Sequence, residues 1–183
     1  MSDPLHAYLA RCSSLLMQGQ FVADVAYYYG HAIPNFAKPK HVRPGLGSGY
    51  DYDDLNTEIL LQASVDQEGH IVLPSGMRYA VLVLPEQDRR MDLAVLQHLE
   101  LLLLQGATVI GNRPERTCGL SGHPREQEQL RSLTDRIWGE QPASAPREVR
   151  YGRGRLVVGK PERDVLAGMG ISPDLELYPA DLQ

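Results

Sequence analysis

The sequence predicts an α/β domain whose sheet is mostly parallel and covered by helices on both faces. Short runs of β-branched and apolar residues alternate with segments of helical period, a pattern typical of strand–helix–strand units. The composition is that of a globular protein, with 43% hydrophobic and 22% charged residues. A length of 183 residues suits one domain spanning 1–183. It is too short for a (β/α)₈ barrel, which needs about 250 residues.

The first 50 residues predict a helix, a strand and a long loop. Asp3 is an N-cap, the helix covers about 4–18, and Gly19 ends it. The apolar residues of this helix recur at helical spacing and form one stripe: Leu5, Tyr8, Leu9, Cys12, Leu15 and Leu16. Residues 21–29 are β-branched and aromatic, which predicts a buried strand. Several prolines and glycines mark 30–49 as a long loop.

The later elements follow from the same signals for caps, periods and turns. In chain order we expect a helix capped by Asp51 or Asp53 and ending near Gln62, a hairpin of 64–66 and 70–73 turning at Glu68-Gly69, and a strand over 79–84. There follow a helix capped by Asp92 and stopped by Gly106, a strand over 107–110 and a helix that starts at Pro124 and is stopped by Gly139. Residues 140–147 form a linker-like loop, before a hairpin of 148–151 and 155–158 and a short helix from Pro161 to Gly168 or Gly170.

Charge and composition exclude several classes of partner. A net charge of -5 gives a nucleic-acid partner no electrostatic support. The apolar run Leu101–Leu104 is far shorter than the roughly 20 residues that cross a bilayer, so we expect no membrane partner. The N-terminus has neither the basic start nor the apolar stretch of a signal peptide. The two cysteines, Cys12 and Cys118, are expected to be reduced thiols, which leaves the compartment open.

Motifs for nucleotide, nucleophilic or metal chemistry are weak. The glycines of 45–49 lack the G-x-G-x-x-G spacing, and no Walker A sequence occurs. Cys118 lies in a loop, and Ser121 is followed two positions later by His123 instead of the glycine that a nucleophile elbow needs. No two histidines lie three to five residues apart, so no local zinc pair exists. We therefore predict no cofactor, no metal and no catalytic residue.

Candidate ligand-contacting residues follow from the predicted sheet. In parallel sheets ligands bind beyond the carboxyl ends of the strands, here at 28–31, 85–86, 111–113 and 159–160. His31 is expected to project from such an end, whereas His98 is expected on the solvent side of its helix. Together with the acidic and aromatic run before the second predicted helix, the candidate set is Tyr29, His31, Tyr50, Asp51, Asp53 and Asn56. The carboxylates of Asp51 and Asp53 can equally serve as helix caps.

A series of motifs in fixed order covers about residues 5–178. It includes Tyr8-x-x-Arg11-Cys12, Ala23-Asp24-Val25-x-x-Tyr28-Tyr29-Gly30, Gly49-Tyr50-Asp51-Tyr52-Asp53-x-x-Asn56, Leu73-Pro74-x-Gly76-Met77, Val81-Leu82-Val83-Leu84-Pro85, Gly106-Ala107-Thr108-Val109-x-Gly111 and Tyr151-Gly152-x-Gly154-Arg155. This series resembles the α-L-rhamnosidase-like enzymes of glycoside hydrolase family 106. The matching region in those enzymes lies downstream of the catalytic barrel, where the domain is similar to class I amidotransferase-like, flavodoxin-like folds.

The resemblance implies a three-layer, flavodoxin-like accessory domain. The family's general acid and base lie on the barrel, so none is carried over to this chain. The run from Tyr50 to Asn56 is the element that the resemblance places near the sugar site or an interdomain surface. It also implies that the chain is inert alone and that its partner is the catalytic barrel of a parent glycoside hydrolase.

Two other functions remain open. A sugar or small-molecule-binding module would use aromatic and carboxylate side chains near one edge of the sheet, since aromatic faces and fixed acceptors suit a polyhydroxy ligand. This set is Tyr28, Tyr29, His31, Tyr50, Asp51, Asp53 and Asn56. An interaction or oligomerisation domain, including a homo-oligomer, would expose an apolar patch where a barrel partner is missing. The natural substrate and the compartment do not follow from the sequence.

Overall fold

Five helices and nine strands make up the computed structural model, which describes residues 3–32, 45–119, 122–139 and 146–175. The helices are α1 (Asp3–Leu16), α2 (Thr57–Leu60), α3 (Leu93–Gln105), α4 (Arg125–Trp138) and α5 (Glu162–Gly168). The strands are β1 (Val25–Tyr28), β2 (Tyr52–Leu55), β3 (Ser64–Val65), β4 (Ile71–Val72), β5 (Arg78–Tyr79), β6 (Val81–Val83), β7 (Thr108–Ile110), β8 (Arg147–Tyr151) and β9 (Gly154–Val158). Among the described residues, no helix is long and apolar enough to span a bilayer.

The main sheet has six strands in the order β2-β1-β6-β7-β9-β8. Every neighbouring pair is parallel except β8 with β9, which form the predicted antiparallel hairpin. The central strands β6 and β7 are short, fully buried and mostly apolar, as expected for a sheet covered on both faces. The predicted mostly parallel α/β sheet is therefore confirmed.

Apolar residues on the two faces of the sheet form two separate cores. One core packs α3 and α4 against the sheet through Leu96, Leu99 and Trp138. The other packs α5 and the segment after residue 45 against the opposite face through Leu46, Val165 and Leu166. Since strand side chains alternate between faces, Ala26 and Tyr28 belong to the first core and Val25 and Tyr27 to the second. The result is a three-layer arrangement, as predicted.

A second, antiparallel sheet of three strands has the order β3-β4-β5. It contains the predicted hairpin, in which Ser64 pairs with Val72. The single strand predicted over 79–84 is divided between the two sheets. Arg78 and Tyr79 pair with β4, whereas 81–83 join the main sheet, with the Ala80 amide donating to the Asp24 carbonyl between them.

The prediction of a helix starting at Asp51 or Asp53 is wrong for the first half of that segment. Residues Tyr52–Leu55 form strand β2, which pairs in parallel with β1. Tyr52 and Leu55 are both buried there, and the ladder of backbone hydrogen bonds satisfies the segment better than a capped helix would. The helical part shrinks to α2, and its cap is Asn56, whose Oδ1 accepts from the Ile59 amide at 2.9 Å.

The N-terminal helix forms as predicted, but it contributes nothing to either core. None of its residues is buried by the described part of the chain. The strand predicted over 21–29 begins only at Val25, and Phe21 and Val22 are exposed. The linker-like loop of 140–147 also ends earlier than predicted, because Arg147 already pairs with Val158 in β8. Residues 140–145 lie outside the described part of the chain.

Candidate functional site

A cleft of about 690 Å³ opens at the carboxyl edge of the main sheet. Residues that follow β1, β6, β7 and β9 line it, among them Tyr29, Glu86, Asn112 and Lys160. These are the strand ends at which the sequence predicted ligand-contacting residues. The cleft lies where the chain order of neighbouring strands β1 and β6 reverses, the position at which open parallel sheets bind ligands.

Gly30 fixes the path of the chain as it leaves β1. It has φ +74, and a Cβ at this position would lie 2.7 Å from Cγ of Pro85, which follows β6. Glycine adopts this left-handed conformation without steric cost and allows the close approach of the two strand ends. The turn carries His31 away from the cleft and towards the amino end of α3.

Four carboxylate residues line the cleft: Asp54, Glu86, Asp88 and Glu162. The partners of Glu162 and Asp88 are hydrogen-bond donors from this chain. The Tyr27 hydroxyl donates to Oε1 of Glu162 at 3.2 Å, and Nε of Arg90 donates to Oδ1 of Asp88 at 2.9 Å. Burial raises the pKa of Asp88, but the hydrogen bonds from Arg90 outweigh it and lower the pKa overall. Asp88 is therefore an ionised, structurally bound carboxylate.

A second group of polar side chains lies beside the cleft, at the amino end of α3. His31, Asp92 and Cys118 bring one nitrogen, one oxygen and one sulfur atom within 4.8 Å of one another. Nε2 of His31 is 3.2 Å from Oδ2 of Asp92 and 2.9 Å from the Tyr28 hydroxyl. Burial, reinforced by the Asp92 carboxylate, raises the pKa of Cys118 to about 12. The thiol is protonated at neutral pH, and the thiolate is the nucleophilic form of cysteine.

The structure separates the six candidate residues predicted from the sequence. Tyr29 lines the cleft, and His31 belongs to the group at α3. Oδ2 of Asp53 accepts from the Tyr79 hydroxyl at 3.1 Å, and Asn56 caps α2. Tyr50 and Asp51 lie before β2 at the opposite edge of the sheet, where the Tyr50 hydroxyl donates to the Ile171 carbonyl and Arg163 stacks over its ring at 5.3 Å. Of the run from Tyr50 to Asn56, Asp54 lines the cleft, whereas Tyr50 and Asp51 lie at the amino end of β2.

An energetically unfavourable carboxylate lies at the other end of the parallel strands, where the strands begin. Asp24 precedes β1, and its Oδ2 is buried without a hydrogen-bond partner among the described residues. Burial raises the pKa of Asp24, and the charges of Asp174 and Asp51 raise it further. This arrangement opposes ionisation and destabilises the charged form of the folded chain.

Two further histidines have structural partners. His98, predicted to face solvent, is half-buried, and its Nε2 is 3.1 Å from the Ala63 carbonyl, because α3 packs its flank against the segment after α2. His70 lies 3.5 Å from Asp66 and 3.4 Å from Glu68 in the small hairpin. The guanidinium of Arg78 already binds both of those carboxylates. Ser121, the rejected nucleophile, lies outside the described residues.

Sequence reasoning missed Asp92 and Cys118 as partners of His31. The three residues come from three distant segments, so no spacing in the sequence connects them. The sequence singled out Asp92 only as the N-cap of α3. In the structure its side chain makes no hydrogen bond to that helix and points instead at His31.

The fold and the cleft define an α/β domain of the kind that binds ligands beyond its parallel strands. Over residues 1–183 the sequence matches the glycoside hydrolase family 106 model, described as alpha-L-rhamnosidase, and the chain belongs to this family. It superimposes on a solved rhamnosidase from Novosphingobium sp. PP1Y with a TM-score of 0.74 and 31% identity, covering 91% of this chain and 16% of that one. A putative beta-glucuronidase from Formosa agariphila is 35% identical over 134 residues, which are 73% of this chain and 11% of that protein.

Proposed function

We propose that this chain is an accessory α/β domain of a rhamnosidase-type glycoside hydrolase and does not cleave glycosides by itself. The observation that carries the proposal is the small share of a parent enzyme that the chain represents. It corresponds to 16% of the solved rhamnosidase it resembles. Its main sheet is open, with β2 and β8 as edges, whereas a (β/α)₈ barrel closes eight parallel strands.

The chemistry of the cleft supports the same proposal. Most glycosidases flank the scissile bond with two carboxyl groups, one of them a general acid with a raised pKa. In this cleft Asp88 is bound by Arg90, and Glu162 accepts from Tyr27. Asp88 and Glu162 therefore already have structural partners.

The exposed face of α1 supports a partner within the parent enzyme. Leu5, Tyr8 and Leu9 are about half exposed, and Phe21 and Val22, which follow the helix along the chain, are exposed as well. Exposed apolar patches on folded domains mark interaction surfaces. We assign this surface to the remaining part of a parent glycoside hydrolase, because the homologous rhamnosidase is about six times longer than the matched region.

The order of the parallel strands supports the flavodoxin-like, amidotransferase-like relationship. The five parallel strands are β1, β2, β6, β7 and β9. When they are renumbered 1 to 5 along the chain, their order across the sheet is 2-1-3-4-5, which is the order of flavodoxin-like sheets. In this comparison β8 is an added antiparallel edge. The relationship concerns architecture only, because the Cys118 thiol is protonated and lies beside α3 instead of at a strand-to-helix turn.

An activity assay tests the proposal directly. The purified chain is incubated with aryl α-L-rhamnosides, with the Novosphingobium rhamnosidase as a positive control. We expect no release of the aryl group above the buffer rate. Robust turnover that disappears in Asp54→Asn, Glu86→Gln or Glu162→Gln, which change three of the cleft carboxylates, would show a complete active site and defeat the proposal.

A sugar-binding role is the second candidate, and the cleft itself favours it. The partly exposed Tyr29 lines the cleft together with Asn112 and Lys160. Aromatic surface combined with a few polar groups is typical of sites for small polyhydroxy ligands. Calorimetric titration with rhamnose and with pectic oligosaccharides tests it. Heat that is lost in Asn112→Ala supports binding at the cleft, whereas no heat at millimolar ligand removes the candidate.

A further inference from the structure

His31, Asp92 and Cys118 meet although they come from three distant segments. His31 follows β1, Asp92 immediately precedes α3, and Cys118 lies in the loop between β7 and α4. Their donor atoms all lie within 4.8 Å of one another, and all three residues are partly buried. The group thus combines an imidazole, a carboxylate and a thiol at one point that solvent can still reach.

The donor types and their spacing suit a tetrahedral transition metal. Zinc binds imidazole nitrogen, carboxylate oxygen and thiolate sulfur. In a tetrahedral zinc site the ligand atoms are separated from one another by about 3.4–3.6 Å. Nε2 of His31 and Oδ2 of Asp92 are already 3.2 Å apart. The remaining separations stay within 4.8 Å, so the side chain of Cys118 need move only slightly to complete the set.

The backbone around the group is held in place by other contacts. Oδ2 of Asp88 accepts from the His31 amide at 3.3 Å, and Arg90 donates to the His31 carbonyl at 3.3 Å. The segment before Asp92 pairs with the segment before Cys118, since the Met91 amide donates to the Arg116 carbonyl at 3.0 Å. Supports of this kind orient ligands before a metal arrives.

The present partners of the donor atoms can give way. Asp92 makes no capping hydrogen bond to α3, so its carboxylate is available to the group. Nε2 of His31 interacts with the Tyr28 hydroxyl, but that hydroxyl also lies 3.0 Å from Oγ1 of Thr57. Tyr28 can therefore release the imidazole and keep a hydrogen bond. On coordination the thiol proton leaves to solvent and the sulfur binds as thiolate.

We propose that His31, Asp92 and Cys118 form a binding site for a divalent transition metal of the zinc type, with the fourth position open to water or to an incoming group. The proposal does not depend on the accessory role proposed above. The other described group with a histidine and two carboxylates, at His70, is a poor alternative, because the cation Arg78 already occupies its carboxylates at 2.5 and 3.0 Å.

Cobalt is the probe that tests the site, because Co²⁺ bound to a thiolate gives a charge-transfer absorption in the near ultraviolet. The reduced, chelator-treated 183-residue chain is titrated with Co²⁺ and then with Zn²⁺. We expect one equivalent of Co²⁺ to produce the thiolate band and Zn²⁺ to bleach it. Added Zn²⁺ should also raise the Tm, since a ligand that binds only the folded state stabilises it.

The variants decide which residues bind. Cys118→Ser should abolish the thiolate band, and His31→Gln should weaken Zn²⁺ binding at least about tenfold. Cys12→Ser is the matched control, because it removes the other cysteine of the chain and should leave the band unchanged. Asp92→Asn keeps the size and the capping preference of the residue, so it decides the question if Cys118→Ser fails to fold by circular dichroism. It should abolish the rise in Tm caused by Zn²⁺.

The opposite results overturn the proposal. A wild-type chain that shows no band and no Tm shift has no such site. A band that persists in Cys118→Ser, or that vanishes in Cys12→Ser, assigns the metal to another thiol. Equal Zn²⁺ affinity in His31→Gln and the wild type leaves Tyr28, His31, Asp92 and Cys118 as a hydrogen-bonded network only.

Discussion

Helices α1 and α3 have nearly the same length and a similar apolar period, yet they have opposite surroundings. Five of the 13 residues of α3 are buried, and the helix anchors one face of the sheet. None of the 14 residues of α1 is buried by the described chain. Helical period therefore predicts that a helix forms, but it does not say which surface covers the apolar stripe. The sheet of this chain covers the apolar residues of α3, and we propose that another part of a parent enzyme covers those of α1.

A core substitution in α3 should give the largest effect on this comparison. Leu99 is 1% exposed, so Leu99→Ala removes buried atoms and leaves a cavity. We expect the free energy of unfolding to fall by about 2–5 kcal/mol, measured by urea denaturation monitored by circular dichroism. Leu101→Ala is the control in the same helix, because Leu101 is 53% exposed and its loss should cost less than about 0.5 kcal/mol. Equal losses in the two variants would contradict the packing described for α3.

The fold was predictable wherever the local signal and the tertiary partner agree. Helices α3 and α4 begin and end where the sequence predicts them, and the apolar runs that form β6 and β7 lie within the predicted strands. Strand β2 was not predictable in this way. Residues 51–53 carry two helix-capping aspartates, and only the neighbouring edge of β1 makes Tyr52–Leu55 extended.

The site shows the same limit. The location of the cleft follows from strand direction alone, and the predicted strand ends line it. The group of His31, Asp92 and Cys118 depends on how three segments approach one another, which no local spacing encodes. Tyr50 and Asp51 lie at the amino end of β2, because the residues that follow them form a strand instead of the predicted helix.

Asp24, which lies where the chain passes from exposed α1 into the buried sheet, should give an intermediate effect. Its pKa is raised in the folded chain by burial and by Asp174 and Asp51. At neutral pH the folded state must therefore hold an unfavourable charge, with a buried oxygen that has no described partner. We expect Asp24→Asn to raise the free energy of unfolding at pH 7 by about 1 kcal/mol.

The pH dependence provides the control for Asp24. A carboxyl group whose pKa is higher in the folded state binds its proton more tightly when the chain is folded. It therefore favours folding at low pH, and this contribution to the free energy of unfolding is lost as the pH rises through the folded-state pKa. The advantage of Asp24→Asn should therefore be full at neutral pH and vanish below the unfolded value of 3.8. Tm measured for both proteins across that range tests the sign. A constant difference at all pH values would contradict the assigned cause.

The smallest effect is expected in α1, and it is the most direct test of the comparison. Leu9 is 49% exposed, and Leu9→Gln keeps a straight-chain residue with similar helix propensity. In this chain alone the free energy of unfolding should change by less than about 0.5 kcal/mol. In a longer chain that also carries the catalytic domain, the same substitution should cost more, because Leu9 would then be covered by apolar surface. A large loss in the isolated chain would mean that α1 packs on this domain after all, and equal small losses in both chains would remove the proposed interdomain surface.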